Sequence, residues 1–158
     1  MTMNGPTYPV PRPRVNAGRL WAGGAATAVV AALIAVVGVL VGRGPFDVDV
    51  LAPEGEGVWG DADTGRYALG AGAAALIATG VAHLLILTTP RPMRFFGWVL
   101  TLATIVAMLA PLVTEEDQGA RLFTAGLNAV LGVAIGSLIG GTARTAMLAG
   151  GPPPGYYP

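Results

Sequence analysis

Four long apolar stretches, none of which contains Asp, Glu, Lys or Arg, constrain the fold of this chain more than any other feature. About 20 predominantly apolar residues cross a hydrocarbon core of roughly 30 Å. The stretches lack the polar stripe of a soluble helix, so lipid or other helices must surround them. We therefore predict an all-α integral membrane protein, a bundle of four transmembrane helices with a short irregular outer loop. The predicted spans are 20–41, 67–87, 95–113 and 122–139, and the outer loop is 43–66.

The arginines, which are the only basic residues of the chain, predict its orientation. Six of the nine lie before the first span, between the second and third spans, or after the fourth, and three lie on the opposite side. Positive residues in short loops stay cytoplasmic. We therefore expect a multi-pass protein of the cell membrane (the inner or plasma membrane) with both termini cytoplasmic. All nine acidic residues lie in the two opposite gaps, at 47–63 and 115–117.

The termini differ in composition from the four-helix membrane domain, which we place at 18–148. Residues 1–17 are rich in Pro and Arg and lack the apolar content to fold alone, which predicts a disordered cytoplasmic tail. Residues 149–158 form a second cytoplasmic tail of Pro and Tyr. Pro153 to Tyr156 match the P-P-x-Y pattern of ligands for aromatic-lined grooves.

The outer loop is the longest predicted extramembrane segment between the spans. Its glycines and Pro53 break the chain into turns around Trp59, which we expect to fold over the outer ends of the helices. Asp61 and Asp63 superficially resemble part of a calcium loop, but the spacing of an EF-hand is not met. A solvated acidic face is the favoured interpretation, and a specific cation site is the alternative.

Small residues recur at helical spacing within the spans. Stripes of this kind let two backbones approach closely, and this contact replaces the hydrophobic drive that lipid cannot supply. Packing within the chain is the favoured interpretation, and a self-association face is the alternative. The predicted helix-packing residues are Gly132, Gly136 and Gly140 in the fourth span, and Gly70, Ala74, Ala78 and Ala82 in the second.

His83 and Asn128 form the candidate polar sites within the spans. His83 is the only ionisable side chain in a span, and an intramembrane ionisable group is by default a functional hypothesis. A neutral imidazole that bonds a hydroxyl, a carbonyl or a headgroup is the structural alternative, and we favour it. Thr27, Thr101 and Ser137 lie at a similar depth to His83, so a polar cluster is a further hypothesis. Asn128 lies too far from His83 to pair with it and is expected to join helices.

The residue inventory argues against catalysis. The chain has one histidine and no cysteine, which argues against paired-histidine haem sites and thiol chemistry. No predicted span contains Asp or Glu, and the chain has no Lys for a Gly-rich phosphate-binding loop. Its residues also form neither a catalytic triad nor the ligand spacing of a zinc site. We therefore expect a protein that is not an enzyme, with no cofactor and no metal.

Several segments resemble a group of small four-span actinobacterial membrane proteins with no assigned function. They are G-R-L-W-A-G-G at 18–24, L-A-P-E-G-E-G at 51–57 with Trp59, H-L-L at 83–85, and T-P-R-P and F-F-G-W within 89–98. The resemblance covers nearly the whole span region and neither tail. It implies the four-span architecture and adds no catalytic or ligand residue.

Three functions from different classes follow from this architecture. The leading hypothesis is an accessory or scaffold subunit of a membrane assembly. The second is a homo-oligomeric pore or transporter with an acidic outer vestibule, in which Asn128 or His83 would line the path. The third is an envelope sensor that acts through the acidic loop. The expected partners are the lipid bilayer and either another membrane protein or a second copy of the chain, with no nucleic acid.

Overall fold

The computed structural model describes residues 16–46, residue 50 and residues 63–148. Four α-helices and one short 3-10 helix account for nearly all of them. The α-helices are α1 (Ala17–Arg43), α2 (Asp63–Thr88), α3 (Pro92–Leu109) and α4 (Gln118–Leu148), and the 3-10 helix is Ala110–Val113. All four α-helical segments are long and apolar enough to cross a membrane. The predicted all-α fold with four such helices is confirmed.

The helices run up and down, so the bundle has two distinct ends. At the terminal end, where α1 begins and α4 ends, the backbone N–H of Asn16 donates to the carbonyl of Ala146 over 3.4 Å. At the opposite end, which we call the acidic end, the Arg43 guanidinium donates to the Thr64 hydroxyl over 3.5 Å. Short turns join α2 to α3 at the terminal end and α3 to α4 at the acidic end.

Side-chain caps begin the first and last helices. The Asn16 side chain accepts a hydrogen bond from the N–H of Arg19 over 3.0 Å, three residues into α1. Asp117 does the same for α4, since one carboxylate oxygen accepts from the N–H of Gly119 over 2.8 Å. Such caps satisfy N–H groups that have no partner within the helix. One of the nine acidic residues therefore has a local structural role.

The fourth helix is longer than the predicted span. It continues nine residues beyond Ile139 to Leu148, even though Gly140 and Gly141 are poor helix formers. Tertiary packing overrides this propensity, because Ala143 and Ala146 are fully buried against Leu20 of α1. With 31 residues, α4 is roughly 46 Å long and extends beyond a hydrocarbon core of roughly 30 Å.

The most extensive helix contact joins α1 to α2. A Cβ atom built at Gly24 would overlap with the side chain of Thr79, which is fully buried. A Cβ at Gly72 would lie 3.4 Å from the carbonyl oxygen of Ala28. Small residues let the two backbones approach, as expected for helices in lipid.

Helix α3 lies at the edge of the bundle. In the most apolar 18-residue window of the α3 segment, 11% of the residues are buried within the protein. The corresponding fraction in the other three helices is 28% to 33%. Only Phe96 of this helix is buried. Because α3 contacts α4 more than α2, it leaves space on the side that faces α2.

Pro111 lies just beyond the end of α3. The α-helix ends at Leu109, and Pro111 lies buried in the 3-10 helix that follows. A proline has no N–H to donate to the carbonyl of residue i−4, here Ala107, which ends the regular helical pattern.

Several predictions concern residues outside the described part of the chain. They are the two tails with the P-P-x-Y motif, Trp59 and most of the acidic loop. Next to the loop, the Phe46 ring packs against Phe123 of α4 with centroids 5.8 Å apart. Val50 is buried in the main hydrophobic core.

We predict that Gly24→Ala lowers the free energy of unfolding by about 1–3 kcal/mol, because the new methyl group overpacks against the β-branched Thr79. Gly80→Ala is the matched control, since a Cβ there would meet no atom within 4 Å. The control should change stability by no more than about 1 kcal/mol. Reversible unfolding of both variants in mixed detergent measures the difference, and equal stability of Gly24→Ala and wild type would contradict the close α1–α2 contact.

Candidate functional site

The larger of two grooves beside α3 lies between α2 and α3 with α4 as its floor, and we call it the α2–α3 groove. Its volume is about 800 Å³. The groove exists because the middle of α2 presents mainly small side chains to it while α3 packs mainly against α4. Its apolar lining includes Gly70, Ala74 and Ala78 of α2, Val99, Leu100 and Ala103 of α3, and Leu131 and Ile135 of α4.

Asn128 closes the acidic end of this groove by joining three helices. Its Nδ2 donates to the carbonyl of Ala107 in α3 over 2.7 Å, and its Oδ1 accepts a short hydrogen bond from the hydroxyl of Tyr67 in α2. The carbonyl of Ala107 is the one that Pro111 cannot serve, because α-helical bonds run from residue i to residue i−4. The Asn128 amide thus supplies a donor that the sequence of α3 lacks.

Other polar side chains lie at the same end of the groove. Arg66, Tyr67, Thr114 and Thr124 line it there with Asn128. The Thr114 hydroxyl donates to the carbonyl of Pro111 over 2.8 Å. The α2–α3 groove is therefore amphipathic along its length, with a polar acidic end and an apolar remainder.

The opposite face of α3 borders a second, smaller groove with α4, which we call the α3–α4 groove. Its volume is about 440 Å³. Leu100 and Thr104 of α3 lie over Gly136 and Gly132, where an added Cβ atom would overlap with them. Toward the terminal end this cover stops, because a Cβ at Gly140 would meet no atom within 4 Å.

The structure places the predicted helix-packing residues in two different settings. Gly132 and Gly136 pack against α3. Ala78 and Ala82 are buried. By contrast, Gly70, Ala74 and Gly140 line the grooves, and a Cβ atom built at either of these two glycines would meet no atom within 4 Å.

Sequence reasoning missed three further close contacts at glycines. A Cβ atom at Gly23 would overlap with Thr142 of α4, and one at Gly38 would overlap with Leu127 of the same helix. The third is Gly72, which faces α1. A search for small residues repeated every four positions does not identify isolated glycines as helix contacts. The only sequence signal for these three contacts is a glycine within an apolar helix.

His83 pairs with the aromatic ring of Trp21. The indole N–H of Trp21 donates to His83 Nδ1 over 3.0 Å, and the two rings meet edge to face with centroids 6.3 Å apart. This contact joins the beginning of α1 to the end of α2. His83 contacts Trp21 at the terminal end, whereas Asn128 contacts Tyr67 and Ala107 at the acidic end, so the structure does not bring the two candidate polar residues together.

The hypothesised polar cluster around His83 does not form. The Thr27 hydroxyl donates to the carbonyl of Gly23 in its own helix, and the Ser137 hydroxyl donates to that of Ala134. Thr101 is exposed and lines the α3–α4 groove. Hydroxyl groups in an apolar helix bond the preceding turn because no water is available there.

Metal-ligating residues do not cluster in the described part of the chain. Within residues 16–46 and 63–148 no group of three or more His, Asp or Glu side chains could hold a metal ion. The arrangement that the structure does offer is two apolar grooves, of which the larger carries polar groups at one end. This chemistry suits the binding of an apolar or amphiphilic partner.

The model of a family described as "Family of unknown function (DUF6069)" matches residues 15–145. The chain belongs to this family. The matched region contains α1, α2, α3 and most of α4, so both grooves lie within it. The expected membership in a family without an assigned function is confirmed. No curated protein and no solved structure matches the chain.

We predict that Asn128→Leu lowers the free energy of unfolding by about 1–2 kcal/mol, because the carbonyl of Ala107 and the hydroxyl of Tyr67 both lose their partner. Tyr67→Phe removes only one of these bonds and should cost about 0.6 kcal/mol.

Ser137→Ala is the control for this pair, since its hydroxyl bonds only the carbonyl of its own helix. Unfolding in mixed detergent should leave this variant unchanged. An Asn128→Leu protein as stable as Ser137→Ala would mean that the three-helix connection contributes nothing.

Proposed function

We propose that the protein is a non-catalytic accessory or scaffold subunit of the cell membrane, which packs the α3–α4 groove against a helix of a larger membrane protein. In this proposal both termini are cytoplasmic, so the terminal end of the bundle faces the cytoplasm. All basic residues of the chain are arginines, and several of its segments resemble small four-span actinobacterial membrane proteins. Both observations support an actinobacterial origin, and the resemblance also supports the four-span topology.

The open backbone of two glycines carries the proposal. Gly97 of α3 and Gly140 of α4 both line the α3–α4 groove, and a Cβ atom at either would meet nothing within 4 Å. Membrane helices associate through small residues because a close backbone approach maximises van der Waals contact. A partner helix at this position would cover a surface that α3 leaves open.

The positive charge of an arginine at the end of this groove favours a partner helix with a complementary negative group. Arg144 lines the groove one turn beyond Gly140, near the predicted cytoplasmic interface. A partner helix with a carboxylate, or with free carbonyl groups at its own C-terminus, would match this guanidinium.

The residues that a pore would require are engaged in other contacts. Asn128 and His83 both hydrogen-bond to side chains or carbonyls of neighbouring helices, which favours a structural role for them. The loop that an envelope sensor would use lies mostly outside the described residues.

Native mass spectrometry of the tagged protein, released gently from its host membrane, tests the accessory role. We expect a mass of one chain plus unrelated subunits. In Gly140→Leu the amount of co-purified partner should fall at least tenfold, equivalent to about 1.4 kcal/mol of binding free energy, because the side chain fills the groove.

Gly141→Leu is the matched control. Gly141 is the next residue of α4, it is exposed, and a Cβ there also meets nothing within 4 Å, but it does not line the groove. Both variants should keep the wild-type helical circular dichroism. A closed homo-oligomer would contradict the accessory role and favour a pore, and equal partner loss in both variants would contradict the α3–α4 groove as the docking surface.

A further inference from the structure

We infer that the hydrogen-bonded side chains of Trp21 and His83 form a pH-sensitive clasp between α1 and α2 at the terminal end of the bundle. The clasp is closed while the imidazole is neutral and opens when the ring is protonated. Neither residue lines either groove, so the clasp does not depend on the accessory role.

The chemistry of the hydrogen bond makes it depend on the charge of His83. The indole N–H of Trp21 can only donate, and it donates to Nδ1 of His83 over 3.0 Å. A ring nitrogen accepts only while it carries no proton, so the closed clasp requires the neutral imidazole with its proton on Nε2. Both nitrogens of an imidazolium are donors. In that state the two N–H groups face each other and the bond is lost.

The orientation of the indole excludes a cation–π contact as a replacement. The two rings meet edge to face at an angle of 74°, with the N–H edge of Trp21 directed at His83. The edge of an aromatic ring is positive and its face is negative. A protonated His83 would therefore meet the positive edge of the indole, whereas a cation–π contact requires the face.

The clasp lies at the end of the α1–α2 contact. Gly24 follows Trp21 by three residues, and Thr79, against which Gly24 packs, precedes His83 by four. Both pairs therefore lie on the same face of their helices. Neither Gly24 nor Thr79 has an ionisable side chain, so their contact persists at any pH. Protonation loosens the end of the α1–α2 contact and leaves its centre packed.

The opening is local because α1 has a second anchor at this end. Leu20 is fully buried against Ala143 and Ala146 of α4, and the N–H of Asn16 donates to the carbonyl of Ala146. Trp21 itself is 43% exposed. Tryptophan favours the membrane–water interface, so the released indole has a favourable position there. Opening thus moves the Trp21 side chain and does not separate the helices.

The position of His83 allows a proton to reach it. The residue lies five positions before the end of α2 at Thr88, which is roughly 8 Å along the helix axis. Imidazole is the side chain whose charge ordinarily changes between about pH 5 and 8. A charge near the interface costs less than one at the bilayer centre. With the proposed orientation, the clasp responds to the pH on the cytoplasmic side.

The surrounding charges favour opening over an ion pair. Every Asp and Glu that the structure describes lies at the acidic end of the bundle. The described charged residues of the terminal end are all exposed arginines, and they repel an imidazolium. They are Arg19 of α1, Arg91 of the α2–α3 turn, Arg94 of α3 and Arg144 of α4. Within the described residues, no carboxylate holds the charged ring against Trp21, so the ring turns toward interfacial water.

Nuclear magnetic resonance of the purified chain in detergent follows the clasp through its indole N–H signals. Trp21→Phe and Trp98→Phe assign two of these signals by their loss. Between about pH 8 and about pH 5, the Trp21 signal should move along a single titration curve. The signal of Trp98, which is 67% exposed on α3, should stay in place. A Trp21 signal that is independent of pH would overturn the clasp.

His83→Asn is the matched variant for the acceptor. Its Oδ1 lies the same number of bonds from the backbone as Nδ1 of His83, and it accepts a hydrogen bond without titrating. The Trp21 signal should no longer depend on pH in this variant. Equal movement of the signal in His83→Asn and wild type would overturn the clasp, because another group would then be responsible.

Equilibrium unfolding in mixed detergent gives an independent measurement. The bond exists only while Nδ1 is unprotonated, so its contribution is present at high pH and is lost as the pH falls. At about pH 8, Trp21→Phe should raise the unfolding equilibrium constant about threefold relative to wild type, and at about pH 5 the two should be equal. An equal cost at both pH values would show a packing contact only and would overturn the clasp.

Trp98→Phe is the control for unfolding, and its effect should be the same at both pH values. The unfolding comparison keeps the test decisive if His83→Asn does not fold. Because all of these measurements use the isolated chain, their failure would leave the partner-subunit measurement unaffected, and the reverse also holds.

Discussion

The hydrogen bond from Asn128 to the carbonyl of Ala107 is the contact on which the arrangement of α2, α3 and α4 depends. An apolar environment offers no water to a carbonyl that a proline leaves without its helical donor. Asn128 supplies that donor, and its side-chain oxygen Oδ1 accepts a hydrogen bond from the Tyr67 hydroxyl. Three helices are thereby joined at the acidic end, with the α2–α3 groove extending from the connection toward the other end of the bundle.

Small side chains explain both the tight and the open parts of the bundle. Between α1 and α2 they face each other, so the backbones approach until Gly24 meets Thr79. On the other side of α2 the same kind of residues, such as Ala74, face α3, which packs on α4 instead. Small residues permit close contact without requiring it, so their pattern alone does not show which face is occupied.

The sequence allowed the helical fold and much of the polar chemistry to be predicted, and only part of the site. Charge-free apolar stretches identify helices because their composition is a local property. The role of Asn128 in joining helices could be anticipated, whereas its link to Pro111 and Tyr67 could not. The Trp21–His83 pair was also not anticipated, since 62 positions separate the two residues and their meeting depends on the rotation of two helices.

By itself the sequence determined the number of helices, their approximate ends, their apolar character and the separation of acidic from basic segments. These properties follow from the composition of each segment and from the cost of placing charges or unsatisfied backbone groups in lipid. Only the tertiary structure decided which face of each helix is covered. The packing of α3 against α4 leaves Gly140 and Ala74 in open grooves, whereas Ala82 of α2 is buried in the core. Which face is covered depends on how whole helix surfaces fit together.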